Sequence, residues 1–492
     1  MSRDDRWRPR IHFTARANWI NDPNGLLWHD GEYHLFYQHN PFGNRWGHMS
    51  WGHAVGTDLL HWRELPVAIA EDERASIFSG SVVFDAHNSS GLGSAAAPPL
   101  VALYTGCLRR PEGGQAQEIA HSSDRGRSWT KYPANPVLDL GLRDFRDPKV
   151  FWHAPSARWV MAVVLPDAHQ VLLFGSTDLK AWHELSRFGP AGEAEGIWEC
   201  PDLFPIPVDG EPDAGRWLLK VDSFSGHPGG TGAQYFVGYF DGTRFIADTP
   251  ADAPPLWADH GSDFYAALSW NGLPAQQHER PVWIGWMNNH RYAAKLPTEP
   301  WRGAMSLPRE LSLWRSAQGL RLRQRPLPAL ANLRGTAQQV GGFELADAQR
   351  DLPGCGPAFE IAMSIESISG GEAGIAVRVG RDGESTRIGY DRSRGSVFVD
   401  RSRSGFIPAD DAQFAARREV AAPLPGPGRP LALQIVVDTS SVEVFVNGGE
   451  AALTEQVFPG TGSDGIQVFA RGGGAALGPL TLTPLRVQSV KP

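Results

Sequence analysis

One pattern recurs four times in the first half of the chain: a strand-like run, a turn built on aspartate, then an aromatic residue opening another strand. It reads GTDLLHW at 56–62, SSDRGRSW at 122–129, STDLKAW at 176–182 and, more loosely, YFDGTRF at 239–245. The aromatics Trp62, Trp129, Trp182 and Phe245 stand 67, 53 and 63 residues apart. Self-similarity at that period marks repeated small sheets, each able to bury its faces only against its neighbours. About 310 residues at roughly 60 per repeat gives five such units, the size of a five-bladed β-propeller. Runs such as YHLFYQ (33–38), LVALYTG (100–106) and QVLLFGS (170–176) supply the strands, and long helical periodicity is scarce.

After LPRELSLW (307–314) the texture changes. GLRLRQRPLPALANLRG (319–335) reads as a proline-interrupted connector. From about residue 341 short runs of period two follow, among them FEIAMSIES (359–367), ALQIVVD (432–438) and SVEVFVN (441–447). Regular short strands with Gly/Pro turns predict an antiparallel β-sandwich. The expected division is a propeller over 1–318 carrying the chemistry, a linker over 319–340 and a C-terminal sandwich over 341–492. The sandwich is read as a buttress, since architecture alone is no evidence of binding.

Composition narrows the function classes. Only 20% of the 492 residues are charged and the formal net charge is −8, which argues against nucleic acid or an anionic membrane as the main partner. A neutral ligand such as a sugar fits. Cys107, Cys200 and Cys355 are far apart and form no metal-binding motif, so free thiols are expected. The start MSRDDRWRPRIHF has no apolar core of a signal peptide, and apolar runs such as WVMAVVL (159–165) are far short of a membrane span. A cytoplasmic protein is the economical expectation, although a secreted chain trimmed of its leader would read the same. Oligomeric state is not written in these features.

A propeller gathers residues from its innermost strands around one axial depression, so its chemistry draws on widely separated positions. Three acids stand in stiff, aromatic settings: Asp22 in WINDPNG (19–25), Asp147 in FRDPKVFW (145–152) and Glu199 in GIWECPDLF (196–204). Pro23 pushes Asp22 into an extended conformation. Each acid alone reads first as a turn cap or a surface group; spaced roughly a blade or two apart, the three could meet at the axis. Arg146 beside Asp147 predicts an ionised Asp147, and the apolar neighbours of Glu199 predict a raised pKa. A raised carboxylic acid with an ionised partner is the pair that cleaves glycosides.

These stretches carry a resemblance. WINDPNG, FSGS (78–81), FRDP (145–148), WECPD (198–202), KLPTEPWRGAMSLPREL (295–311) and SSVEVFVNGGE (440–450) resemble, in order, the signatures of glycoside hydrolase family 32, the β-fructofuranosidases. The resemblance covers nearly the whole chain and implies an all-β fold, a five-bladed propeller followed by a β-sandwich. It implies Asp22 as nucleophile, Glu199 as general acid/base and Asp147 as transition-state stabiliser. Asn21, Gln38, Trp46, Phe78, Ser79, Arg146 and Trp301 would line the pocket for a terminal fructose. No cofactor and no metal is implied. His48 and His53 in WGHMSWGH lack a metal-ligand pattern, and Cys200 reads as a neighbour tuning Glu199 rather than a nucleophile. The expected activity is a retaining exo-glycosidase releasing fructose from levan, inulin or sucrose. Its rivals are a fructosyltransferase using the same trio, for example one forming difructose anhydride, and a fructan-binding protein that has lost catalysis.

Overall fold

A computed structural model describes residues 5–274, 278–408 and 411–486; residues 487–492, assigned above to the sandwich, lie outside the described residues. The repeat period corresponds to five antiparallel blades, the last two joined in one nine-stranded sheet, whose innermost strands are Asn18–His29, Ala75–Phe84, Arg146–His153, Trp198–Val208 and Tyr265–Ser269. Each inner strand packs on the next, and the fifth returns to the first, closing the ring. Each blade hides one face against its neighbour. Val160, Leu173, Leu219 and Phe236, for example, fill the seam between the third and fourth blades.

The four repeated turns explain themselves. Asp58, Asp124, Asp178 and Asp241 each accept backbone N–H groups two to four residues on, fixing the turn into the outermost strand. Trp62, Trp129 and Trp182 immediately precede that strand, and Phe245 begins it. The fifth blade lacks the motif. It is built from 265–269, 282–286, 309–316 and 319–326, with its neighbour joined through a single pair, Val208 and Leu313.

The segment 319–340 is therefore more than a connector. Gly319–Pro326 pairs along its whole length with Arg309–Ser316, as its alternation of Leu and Arg allows, and Gln338–Val340 already pairs with Leu480–Leu482 of the sandwich. Only the turn Pro328–Leu333 and its flanks lie between. The sandwich stacks one eight-stranded and one six-stranded antiparallel sheet over a single core that includes Ile361, Ile375, Val399, Ile435, Val444 and Val468.

Ionic contacts between buried side chains join the two units. Arg309 donates to Asp259 (2.9 Å) on the propeller and to Glu443 (2.6 Å) on the sandwich. Arg401 reaches back to Asp263 (2.6 Å) and the Tyr292 hydroxyl (2.9 Å). His12, just ahead of the first inner strand, sits between Asp438 and Glu443, at 2.8 Å from each. All these charges are buried, so each depends on its partners.

Candidate active site

The inner strands run in one direction, with their first residues at one mouth of the ring. There every one is irregular. Pairing slips between Ile20 and Pro23, Ile77 and Gly80, Glu199 and Asp202, and Tyr265 and Leu268, and opposite Arg146–Lys149 the slip falls between Ala162 and Val164. Pro23, Pro148 and Pro201 stand at three of these bulges, where a missing N–H costs no ladder bond. Asp147 (φ 65°), Cys200 (φ 46°) and Ala266 (φ 53°) are held in the left-handed region, costing roughly 1–3 kcal/mol each. Gly80 is needed in the second strand: a Cβ there would lie 2.1 Å from the Leu103 carbonyl oxygen. The bulges re-aim side chains toward the axis.

The three acids converge there. Asp22 Oδ1 accepts from Asn21 Nδ2 (3.0 Å), itself held by the Trp19 indole N–H donating to Asn21 Oδ1 (2.7 Å). Asp22 Oδ2 accepts from Ser79 Oγ (2.5 Å) and lies 3.5 Å from Cys200 Sγ. Asp147 Oδ2 accepts from the Cys200 backbone N–H (2.9 Å) and lies 3.7 Å from the same sulfur. The thiol thus touches Asp22 and Asp147 rather than tuning Glu199. Burial, with both carboxylates beside it, pushes its pKa far up, so it remains a protonated weak donor.

The charge distribution reverses the expectation for two acids. Arg146 turns its guanidinium to Glu199, donating from Nη2 and Nε to Oε1 at 3.0 and 3.2 Å, whereas its Nε lies 3.9 Å from Asp147 Oδ2. Gln115 and Asp144 hold its other end. Burial would raise Glu199, but Arg146, His290 and the Tyr265 hydroxyl (2.5 Å from Oε2) outweigh it and keep the carboxyl below its ordinary value. Burial raises Asp147 to about 7, with the charges of Glu199 and Asp22 adding to it. Neighbours in sequence do not fix partners, because successive strand residues point apart.

The remaining expected residues fall as follows. Asn21 and Ser79 touch Asp22, and Arg146 touches Glu199. Trp46, 55% exposed, meets the half-buried Phe78 edge-on at 5.9 Å between ring centres. Gln38 is buried, and its Nε2 has no hydrogen-bond partner among the described residues. Trp301 is only 2% exposed, packed with Met287 and Ala304. His53 hydrogen-bonds His34 (3.0 Å) and stacks on Phe36, while His48 pairs with Glu71 (2.6 Å). Among the described residues no group of three His, Cys, Asp or Glu is placed to hold a metal ion.

Two groups at this mouth escaped the sequence: Tyr265, on Glu199, and His290, whose ring lies 5.2 Å from Tyr265 and 4.9 Å from Trp286. One signal could have found Tyr265. Every other blade contributes one of the expected site residues from the first half of its inner strand (Asp22, Ser79, Asp147 and Glu199), and Tyr265 opens the fifth. Below the carboxylates the axis is plugged: Lys220 donates to the Cys200 carbonyl oxygen (2.8 Å) and pairs with Asp222, and Lys149 pairs with Asp202 (3.4 Å). These buried ion pairs leave no open passage recorded between the three acids and the far ends of the inner strands.

Comparison with known proteins gives a consistent result. Residues 12–326 match the glycosyl hydrolases family 32 N-terminal domain and residues 329–484 its C-terminal domain. The chain is 45% identical to a levanase of Bacillus subtilis, over 98% of this chain and 71% of that protein. It is 39% identical to an extracellular exo-inulinase of Aspergillus niger, over 96% and 93%. A crystal structure of exo-inulinase from Aspergillus awamori superposes with a TM-score of 0.91 at 37% identity, covering 98% of both chains.

Proposed function

The chain belongs to glycosyl hydrolases family 32 and is a β-fructofuranosidase; we propose that it removes terminal β-D-fructofuranosyl residues one at a time, from fructans and from sucrose, by a retaining two-step route. The observation that carries the mechanism is the convergence of Asp22, Asp147 and Glu199 from three blades above a plugged axis. Asp22 attacks C2 of the terminal fructosyl unit while Glu199 gives its proton to the departing oxygen. Water then attacks C2, Glu199 takes its proton, and Asp22 leaves as the carboxylate. In a fructoside C2 is the anomeric carbon and carries no free hydroxyl, so Asp147 holds ring hydroxyls and strengthens its hold as positive charge develops.

Without bound sugar a proton shared between Asp147 and Glu199 rests first on Asp147, which burial raises to about 7, because Arg146 helps hold Glu199 below its ordinary value. The reacting state has the same proton count with the proton on Glu199. Substrate hydroxyls donating to Asp147 favour its carboxylate, and desolvation of Glu199 by the bound sugar favours its acid. Binding thereby moves the proton to where the leaving group needs it. Arg146 is the group that Glu199 gives up in part on protonation, and Tyr265 keeps the carboxyl in place.

A blind depression admits a chain end and not a chain middle, so attack is exo. The test is a time course on levan, inulin and sucrose with product identification. Fructose accumulating from the start, without intermediate-length oligosaccharides, is the expected result. Early long oligosaccharides would overturn exo attack, and difructose products would favour transfer.

A further inference from the structure

The inner strands end at the opposite mouth of the ring, where a second concavity opens. It holds two adjoining depressions of about 830 and 610 Å³ that share Phe151, Trp152, Asn271 and Gly272. Trp217 and Tyr239 line the first, and Trp28 and Phe84 the second. Trp152, 42% exposed, stands between them, and Tyr239 is 54% exposed. We propose that this mouth is a second, non-catalytic binding site for a neutral fructan chain, an inference resting on the fructan-hydrolase reading above.

Three observations carry it. First, the aromatic faces are pre-set. Trp152 is braced edge-on by its cross-strand partner Trp159 (5.1 Å), whose indole N–H donates to Ser89 Oγ (3.0 Å), and Trp217 packs on Phe151 (5.7 Å). A fixed ring loses little freedom when a sugar stacks on it. Second, the cations around the mouth are matched internally, Arg216 with Asp248 (3.3 Å), Arg280 with Asp209 (2.9 Å) and Lys149 with Asp202, while the exposed carboxylates of Asp241 and Glu279 at the rim are in no ion pair among the described residues. An aromatic trough with its cations matched and two exposed carboxylates at its rim suits an uncharged polyhydroxyl chain, whose C–H faces stack while its hydroxyls donate to the polar rim. Third, the mouth is closed off from the catalytic pocket. Asn271 Nδ2 bridges the axis to the carbonyl oxygens of Val82 (2.9 Å) and Val150 (3.0 Å), beneath the lysine–aspartate plug. A chain bound here cannot thread to Asp22. It instead tethers the enzyme to the polymer, raising the local concentration of chain ends.

The experiment uses the full chain. Asp22→Asn, which cannot turn over, is run in native gels with and without levan or inulin, dextran serving as control. Retardation by fructan is expected, and adding Trp152→Ala should weaken it roughly five-fold. In the active enzyme Trp152→Ala should leave kcat/KM on sucrose unchanged and lower it on the polymer by a similar factor, through KM. Tyr239→Ala is the second variant, should Trp152→Ala fold poorly. Polymer binding and cutting by both variants equal to the parent would overturn the proposal. So would a dimer that dissociates on Trp152→Ala, which would make the mouth an interface between copies. No fructose from any fructan sinks the functional reading itself; fructose release with unaffected variants sinks only the second site.

Discussion

His12 should make the junction of propeller and sandwich sensitive to alkali. Its Nδ1 and Nε2 each face a carboxylate at 2.8 Å, Asp438 and Glu443. A neutral imidazole has one N–H, so only the imidazolium can donate to both. Burial alone would lower the pKa, but the two carboxylates outweigh it and raise it from 6.5 to about 9. Below pH 6.5 folded and unfolded chains both carry the proton and the contribution is whole. Between 6.5 and about 9 the unfolded chain loses it first, so stability falls; above about 9 the contribution is gone. A shift of this size corresponds to about 3 kcal/mol. Unfolding entropy near 2.1 cal/mol/K per residue over 492 residues makes that about 3 °C if the chain melts as one unit. The assay is the melting temperature of wild type and His12→Gln from pH 6 to 10, the difference removing all other titrations. Wild type should lead at pH 6 and lose about 3 °C of that lead by pH 10. A lead that stays constant or grows would refute the argument.

Other expectations concern catalysis and assembly. Glu199→Gln should lower sucrose turnover by roughly 10²–10⁴, recover on a fructoside whose leaving group needs no proton, and be accelerated by azide with formation of a β-fructosyl azide. Asp22→Asn should show neither rescue; azide rescue of that variant would reverse the assignment. Because the proton that Glu199 needs is held first by Asp147, which burial raises to about 7, kcat/KM should decline as pH rises through that region. In Asp147→Asn the alkaline decline should move to lower pH, since Glu199 alone then holds the proton; a pH profile unmoved in that variant would count against the scheme. A chain ending at residue 340 strips Arg309 of Glu443 and removes Arg401 from Asp263, so it should aggregate or melt well below the full chain. An unchanged melting temperature would show the sandwich to be dispensable.

How much of this was legible in the sequence follows from which links are local. A turn aspartate binds N–H groups within four residues, so the blade repeat is printed in the chain. The acids of WINDPNG and FRDP, like WECPD, stand out because proline marks a bulge, and a bulge is what turns an inner-strand side chain to the axis. Partnership across the axis has no such mark. Arg146 meets Glu199 from 53 residues away rather than its neighbour Asp147, and that choice sets which acid holds the proton. Tyr265 is a further 66 residues on, and its strand starts without proline. The junction is more remote still: 426 residues separate His12 from Asp438, and a lone histidine in RIHF carries no sign that two acids await it. The fold was readable because each blade is a local solution repeated. The chemistry was readable only as a set of residue types, because proton placement depends on contacts between blades that no local pattern encodes. Those contacts are the ones on which the pH predictions rest, so measured pH profiles test the geometry more severely than loss of activity in a carboxylate variant, which the residue types alone already foretell.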